Sequence, residues 1–493
     1  MSGLERPDPE PTSECDIVMK GGVASGLVYA RTFTVLSRKY RFRSIAGSSA
    51  GAIAAALVSA AEYARQKGDQ TAFSRLQQRC EALPQLLPGF FQADPHFRAL
   101  LKALIHIAPG TGRARIGSAV MCFWQPILSG ALAGLAAMTL VNLALGVSFR
   151  NASAPLVAAP GLFLAAVIGA TAWLAWSLSR SLLVDLPKSN FGLSRGHNAG
   201  TGPPDITDWI HETVQEIAFG VTGRAEPLTF GDLASCGIDL RIIATNLSFA
   251  RMEVLPALGS AARFRPAEWK RLFPPALLEH LNPTSSTNLS DLPPPNQFPV
   301  LAAVRLSIAC PGLLEVVPVH LLTGERVIFA DGGLTQNFPF DIFDELVPER
   351  PTFAFDLATL HGGEFERVTT LSEGLGRQSR PIHIQSLQSF LWSLIVALRE
   401  GATRTAMLQG PNPDRIFQAW LTADEGGMDL DMGSQRAQDL MSYGEDLGEH
   451  VLQRFDFTAH RADRLIAARR RVQRFRAGLM DPMDLNSPDE ASL

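Results

Sequence analysis

An α/β fold is the prediction for this chain, and three stretches carry it. Cys15-Asp16-Ile17-Val18-Met19 reads as a short strand. It runs into the turn Lys20-Gly21-Gly22-Val23-Ala24-Ser25-Gly26 and then into an apolar-rich helix from Leu27 to Ser37. Ser44-Ile45-Ala46 ends a second buried strand. Gly47-Ser48-Ser49-Ala50-Gly51 follows as a turn, and the small, apolar run from Ala50 to Ala60 reads as a helix. Far along the chain, Arg326-Val327-Ile328-Phe329-Ala330 is a strand that runs straight into Asp331-Gly332-Gly333. Strands joined to helices by tight glycine turns build a helix-covered sheet, and such sheets bind ligands outside the carboxyl ends of their strands.

The first turn exposes several backbone N–H groups at one point. Such a nest binds an anion, either a phosphate or the oxyanion of a tetrahedral intermediate. It lacks the Gly-Lys-Ser/Thr ending of a phosphate loop and the spacing of GxGxxG. The second turn has the Gly47-x-Ser49-x-Gly51 spacing of a nucleophile elbow. A sharp strand-to-helix turn lifts a serine hydroxyl clear of the sheet edge, and glycines flank it because side chains would crowd the turn. The helix N-terminus behind it favours developing negative charge. Read singly, each stretch is also an ordinary Gly/Ser or Asp-Gly turn. Read together they form one scheme. Ser49 is the nucleophile, Gly21–Gly26 with the Ala50 amide supplies donors, and Asp331 takes and returns the serine proton. A serine hydroxyl is weak at neutral pH and needs a base. No context singles out His320 or His383, so the pattern points to a Ser-Asp dyad.

With 493 residues, 46% hydrophobic and 19% charged, the chain has room for one large core with additions or for several domains. Its net charge of -4 gives no reason to expect a nucleic-acid partner. Cys15, Cys80, Cys122, Cys236 and Cys310 are odd in number and widely spaced, and the ten histidines form no HExxH pair. No disulfide framework, metal or cofactor is therefore expected. Residues 1–13 are acidic and proline-rich, a disordered lead-in without the features of a signal peptide, so the catalytic region is expected to begin in the cytosol.

No Asp, Glu, Lys or Arg occurs from Ile116 through Phe149, and a second uncharged run covers Asn151 to Ser179. Their apolar cores, Ile127–Leu145 and Leu156–Trp176, are each long enough to cross a hydrocarbon layer of about 30 Å. Arg98, Lys102, Arg113 and Arg115 precede the pair, and Arg180, Lys188 and Arg195 follow it. That bias predicts a membrane hairpin with both outer flanks on the cytoplasmic side of an inner or cytoplasmic membrane. A buried hairpin or a shallower re-entrant one is the alternative. The expected organisation is a lead-in at 1–13, a catalytic domain at 14–112 and 183–380, a helical hairpin insertion at 113–182, and a mostly helical region with a basic tail at 381–493.

Further along, a helix is predicted from Asp205 through Ile217, and His211 is an ordinary residue in it. Thr229 caps a short helix. Leu240–Thr245 is a strand with Met252–Leu255 beside it, and the polar stretch 282–297 is a surface loop. Leu301–Ile308 is a buried helix, Thr352–Leu357 a strand, and 383–401 an amphipathic or largely apolar helix.

GGxxxG after the first strand, GxSxG about twenty-five residues later and a distant Asp-Gly-Gly together resemble the patatin-like phospholipase family. Ala244-Thr245-Asn246 is similar to it as well. The resemblance covers about 14–60 and 205–360. It implies a three-layer α/β/α sandwich with a Ser-Asp dyad on Ser49 and Asp331 and an oxyanion hole on Gly21, Gly22 and Val23, with Ala50 helping. Gly26, Gly47, Gly51, Gly332 and Gly333 are its supporting motif positions. The family's turn usually reads GGGxK/RG, whereas Val23 and Ser25 stand here at the third glycine and the basic position. The implied substrate is a lipid ester, of a phospholipid, lysophospholipid or neutral lipid, cleaved without calcium. A thioesterase or acyltransferase acting on another acyl carrier, or a catalytically weak membrane scaffold, is the alternative. Nothing in the sequence indicates an oligomeric state.

Overall fold

The computed structural model describes residues 10–22, 25–94, 96–107, 121–144, 154–198, 202–224, 226–258, 262–283, 288–359, 366–374, 384, 387–422, 425 and 433–476. Val23, most of the lead-in, the hairpin turn at 148–153 and His383 lie outside these residues. The chain divides into two compact units. One is formed by Met1–Phe91 with Gly196–Leu493, the other by Gln92–Arg195.

The first unit is built on one mixed sheet of eleven strands. They are β1 (Ser13–Met19), β2 (Tyr40–Ser48), β3 (Asp239–Asn246), β4 (Arg251–Leu255), β5 (Arg263–Phe264), β6 (Ser290–Asp291), β7 (Val317–His320), β8 (Arg326–Asp331), β9 (Thr352–Thr359), β10 (Val368–Thr370) and β11 (Ile416–Leu421). The centre is a parallel block in the order β11-β9-β1-β2-β3. Antiparallel strands extend it on both sides. From Cys15 to Met19 every residue of β1 is buried, as expected of a strand covered on both faces. Helices α1 (Val28–Leu36), α2 (Ala50–Gln66) and α3 (Ala72–Glu81) follow the first two strands. Alanine-rich α2 has high helix propensity, and its small side chains let it pack closely on several sides.

One feature of the register explains how residues far apart in sequence meet. β4 runs along one edge of β3 from Ile242 to Asn246. β2 occupies the opposite edge as far as Ser48, which pairs with Ile243. There β2 ends, and β8 takes over that same edge from the other direction, with Asp331 paired to Ala244. Consecutive residues of β3 therefore hold the last residue of β2 and the last residue of β8. Ser49 and Asp331 emerge at this junction.

The chain departs from expectation at three places. Stretch 282–297 is more than a loop, because Ser290–Asp291 pairs with β5 at the end of the sheet. The segment after 381 also contributes to the sheet. Its β11 lies between β9 and β10, and the helix Ser434–Arg454 packs on α1. That packing depends on Gly444: an added Cβ would lie 1.9 Å from Val28 O, and Thr32 Oγ1 donates to Gly444 O at 2.9 Å. The second compact unit is also wider than the expected 113–182 insertion, since the chain on both flanks clusters with it.

In that unit the helices Trp124–Ala144 and Ala154–Arg180 pack as a pair, and the stretches Trp124–Ala144 and Pro160–Lys188 are long and apolar enough to cross a membrane. Gly130, Gly134 and Gly169 let the backbones approach closely, as small residues do between membrane helices. Leu132, Leu140, Phe163, Leu164 and Ile168 are all more than half exposed, so these helices do not form the core of a soluble unit.

Candidate active site

Ser49 stands between the last residue of β2 and the first of α2, at φ 55° and ψ -127°. For a non-glycine residue this is a strained conformation, of the kind held in place at functional turns at a cost of about 1–3 kcal/mol. The glycines around it leave no room for side chains. A Cβ on Gly47 would lie 2.1 Å from Gly51 O, and one on Gly51 would lie 2.5 Å from Met19 O. The elbow is further pinned by Ser307, whose Oγ accepts from Ser49 N at 3.0 Å.

Ser49 Oγ donates to Asp331 Oδ2 at 2.7 Å. The other carboxylate oxygen, Oδ1, accepts from Gly333 N at 2.7 Å, and Thr245 Oγ1 donates to the Asp331 carbonyl at 2.8 Å. The side chain is thereby aimed at the serine. Gly332 must be glycine because a Cβ there would lie 2.1 Å from Ile243 O, at the seam between β3 and β8. Burial pushes the Asp331 carboxyl above its ordinary value, against the opposing pull of the Ser49 hydrogen bond, the Gly333 amide and the Arg399 charge. A raised pKa suits a carboxylate that must accept a proton. The nearby Cys310 thiol is pushed up to about 12 by burial and by the Asp331 charge, so it is a neutral wall of the site.

The expected oxyanion donors need one correction. Gly21 N donates to Asn337 O at 3.0 Å, and Gly21 O accepts from Asn337 Nδ2 at 3.3 Å. The Gly21 amide is thus occupied as a brace for the turn and is not a free donor. Gly22 O accepts from Gly26 N at 3.1 Å, which closes the turn. Gly26 approaches Ala50, its added Cβ 3.5 Å from the Ala50 side chain. The Ala50 amide opens α2, and the first N–H groups of a helix have no partner within it. Lys20, just before the turn, forms an ion pair with Asp356 at 2.7 Å, and Tyr29 OH donates to Lys20 O at 2.7 Å.

His320 is not beside the dyad: on β7 it pairs with Arg326, at the opposite end of β8 from Asp331, and its Nε2 lies 2.8 Å from Glu268 Oε2. Sequence reasoning gave no role to Ser307, Asn337, Cys310 or Arg399. None carries a local motif, and each meets the site only through long-range packing.

Ser49 and Asp331 lie on the wall of a partly open cavity of about 110 Å³. Beyond the dyad its lining is almost wholly apolar, including Ile53 and Leu57 of α2, Leu76 of α3, Phe33 of α1, Phe90 and Trp209. A reactive serine thus opens onto a slot fit for hydrocarbon.

Residues 17–108 match the patatin-like phospholipase family. The patatin-like stretch holds β1 from Ile17 on, the glycine turn, β2 and the Ser49 elbow, and it stops well before Asp331. The resemblance read from the sequence is matched, and with it a general activity, that of an esterase of lipids. Among known proteins, the "RpoH suppressor" of Rhizobium meliloti (strain 1021) is 27% identical over 552 aligned positions, covering 91% of this chain and 84% of its own. Its name states no chemical activity. The crystal structure of VipD from Legionella pneumophila covers 97% of this chain and 79% of its own, at 13% identity and a TM-score of 0.32.

Proposed function

We propose that this protein is a serine-dependent lipid acyl hydrolase, phospholipase- or lysophospholipase-like, on a patatin-like three-layer α/β/α sandwich. The observation that carries the reading is the 2.7 Å hydrogen bond from Ser49 Oγ to Asp331 Oδ2 at the wall of an apolar cavity. Asp331 removes the serine proton as Ser49 Oγ attacks the ester carbonyl. The oxyanion of the tetrahedral intermediate is met by the Ala50 amide and by amides of the Gly22–Val23 turn. Collapse expels the alcohol, which takes the proton back from Asp331, and leaves an acyl-serine. Water, deprotonated by Asp331, attacks the acyl-serine; the acyl–Oγ bond breaks, Ser49 Oγ takes the proton back from Asp331, and the fatty acid is freed. An acceptor other than water would make the same acyl-enzyme a transferase, and a thioester donor would make it a thioesterase.

The test is a fluorophosphonate probe together with a panel of lysophospholipids, phospholipids, acylglycerols and acyl-thioesters. The expected result is a single labelled serine, Ser49, and turnover of the oxygen esters. Labelling elsewhere, or no turnover of any lipid ester, would overturn the reading. Preferential turnover of the thioesters would favour the thioesterase.

We further propose that the helices Trp124–Ala144 and Ala154–Arg180 anchor the protein in an inner or cytoplasmic membrane, with the catalytic unit in the cytoplasm. Their exposed leucines, with Phe163, Trp173 and Trp176, support this. Membranes washed at alkaline pH should retain the full chain, and deletion of 116–179 should release it. Release of the full chain by the same wash would defeat the anchor.

A further inference from the structure

The cavity is apolar apart from its dyad, and among the described residues no cation lines it, but a guanidinium from far along the chain lines a separate cleft behind the reactive turn. Arg399 lies on the helix Leu387–Met407, outside the stretch that matches the family. Its side chain lines a small cleft with Lys20, Asn337, Glu400, Thr403 and Arg404. The other two cations of that cleft are matched by carboxylates. Lys20 Nζ is 2.7 Å from Asp356 Oδ1, and Arg404 Nη2 is 3.3 Å from Glu400 Oε2. Among the described residues no carboxylate pairs with Arg399, and its Nε is buried without an acceptor.

The cleft adjoins the reactive turn, because Asn337 on its wall is the residue that braces Gly21. The charge of Arg399 also acts on Asp331 and Cys310, both of which line the reactive cavity. An unmatched guanidinium beside a reactive centre invites an anion, and its planar fork fits the oxygens of a phosphate two at a time.

We propose that Arg399 is the head-group residue of this site and binds the phosphate of a phospholipid or lysophospholipid whose ester lies over Ser49. This rests on the acyl-hydrolase reading and adds the substrate class: phosphate-bearing esters are taken in preference to neutral ones. The acyl chain lies in the apolar cavity, and the phosphate lies in the cleft beside the helix Leu387–Met407.

The experiment compares lauroyl-lysophosphatidylcholine with monolauroylglycerol, both as monomers, on the pH plateau of the reaction. Arg399→Gln should lower the ratio of kcat/KM, phosphate ester over neutral ester, by about tenfold or more, chiefly through KM. Arg399→Lys should restore part of that ratio. An unchanged ratio would overturn the proposal, since a residue acting only on the dyad slows both esters alike. Should Arg399→Gln fail to fold, Arg399→Lys carries the same comparison with a smaller expected fall. A second arm needs no turnover. Dodecylphosphocholine should bind the Ser49→Ala protein more tightly than the Ser49→Ala/Arg399→Gln protein by about tenfold, and equal binding would defeat the role of Arg399. If wild type turns over neither ester, the hydrolase reading fails, while the binding arm still decides for or against Arg399.

Discussion

Asp331→Asn should lower kcat by about 10²–10⁴-fold, the usual contribution of a positioned general base. Ser49→Ala should cost at least as much, because it removes the covalent route altogether. The double variant should fall little further than Ser49→Ala alone, since groups that act as one unit are not additive. A double variant far slower than either single one would mean that the two residues act independently. Steady-state turnover of the preferred lipid ester, with fluorophosphonate labelling as a second readout, measures all three.

The same variant carries a stability signature of opposite sign. Burial raises the Asp331 pKa in the folded protein above its unfolded value. The stabilising contribution of such a group is fully present below the unfolded pKa and is lost as pH rises through the folded pKa. Asparagine has no charge to bury, so the variant escapes that loss. Asp331→Asn should therefore melt higher than wild type near neutral pH, and the gap should close in acid. Catalysis needs the ionised form, so wild-type kcat/KM should fall with acid through a pKa above the ordinary carboxylate range of about 4. A Tm for Asp331→Asn below that of wild type at neutral pH would mean that the carboxylate is a structural ion and not a poised base.

The parts of the site legible in the sequence are those that local geometry dictates. Glycines at 47 and 51 are forced by contacts within one turn and with the adjacent strand. Gly332 and Gly333 follow the end of a strand, so Asp331 was visible as a carboxylate at a sheet end. What stayed hidden depends on pairing across the chain. The handover from β2 to β8 along one edge of β3 brings residues 282 positions apart into contact, and no periodicity encodes it. The Gly21 amide looked like an oxyanion donor because glycine turns expose N–H groups. Its capture by Asn337 is a tertiary event. Arg399 reads in sequence as one of several charges late in an apolar-rich helix, and only packing brings its charge to bear on Asp331. β11 did leave a trace, since Ile416-Phe417-Gln418-Ala419-Trp420-Leu421 is a short apolar run after a proline-bearing turn, of the length and composition of a buried strand.

Gly47→Ala should be among the most damaging single methyl additions within the described residues. The added Cβ would lie 2.1 Å from Gly51 O, 2.4 Å from Gly51 C and 2.8 Å from Ala52 N. All three are backbone atoms of the first turn of α2, so no side-chain rotation relieves the clash. Either β2 or the helix must shift. Overpacking of this kind costs about 1–3 kcal/mol where side chains can yield, and backbone contacts place Gly47 at or above the upper end. The catalytic loss should be large as well. Ser49 lies two residues on, and a displacement near 1 Å at a reacting atom is enough to cost about 100-fold in rate. Gly401→Ala is the matched control. It adds the same methyl within the helix Leu387–Met407 with nothing inside 4 Å of the new Cβ. It should stabilise the helix by about 0.5–1 kcal/mol. Thermal melts and fluorophosphonate labelling of the two variants side by side separate the effect of a close backbone approach from that of a lost glycine. If Gly47→Ala melts and labels like wild type, the elbow is looser than its contacts require, and the positive φ of Ser49 is not held by the turn.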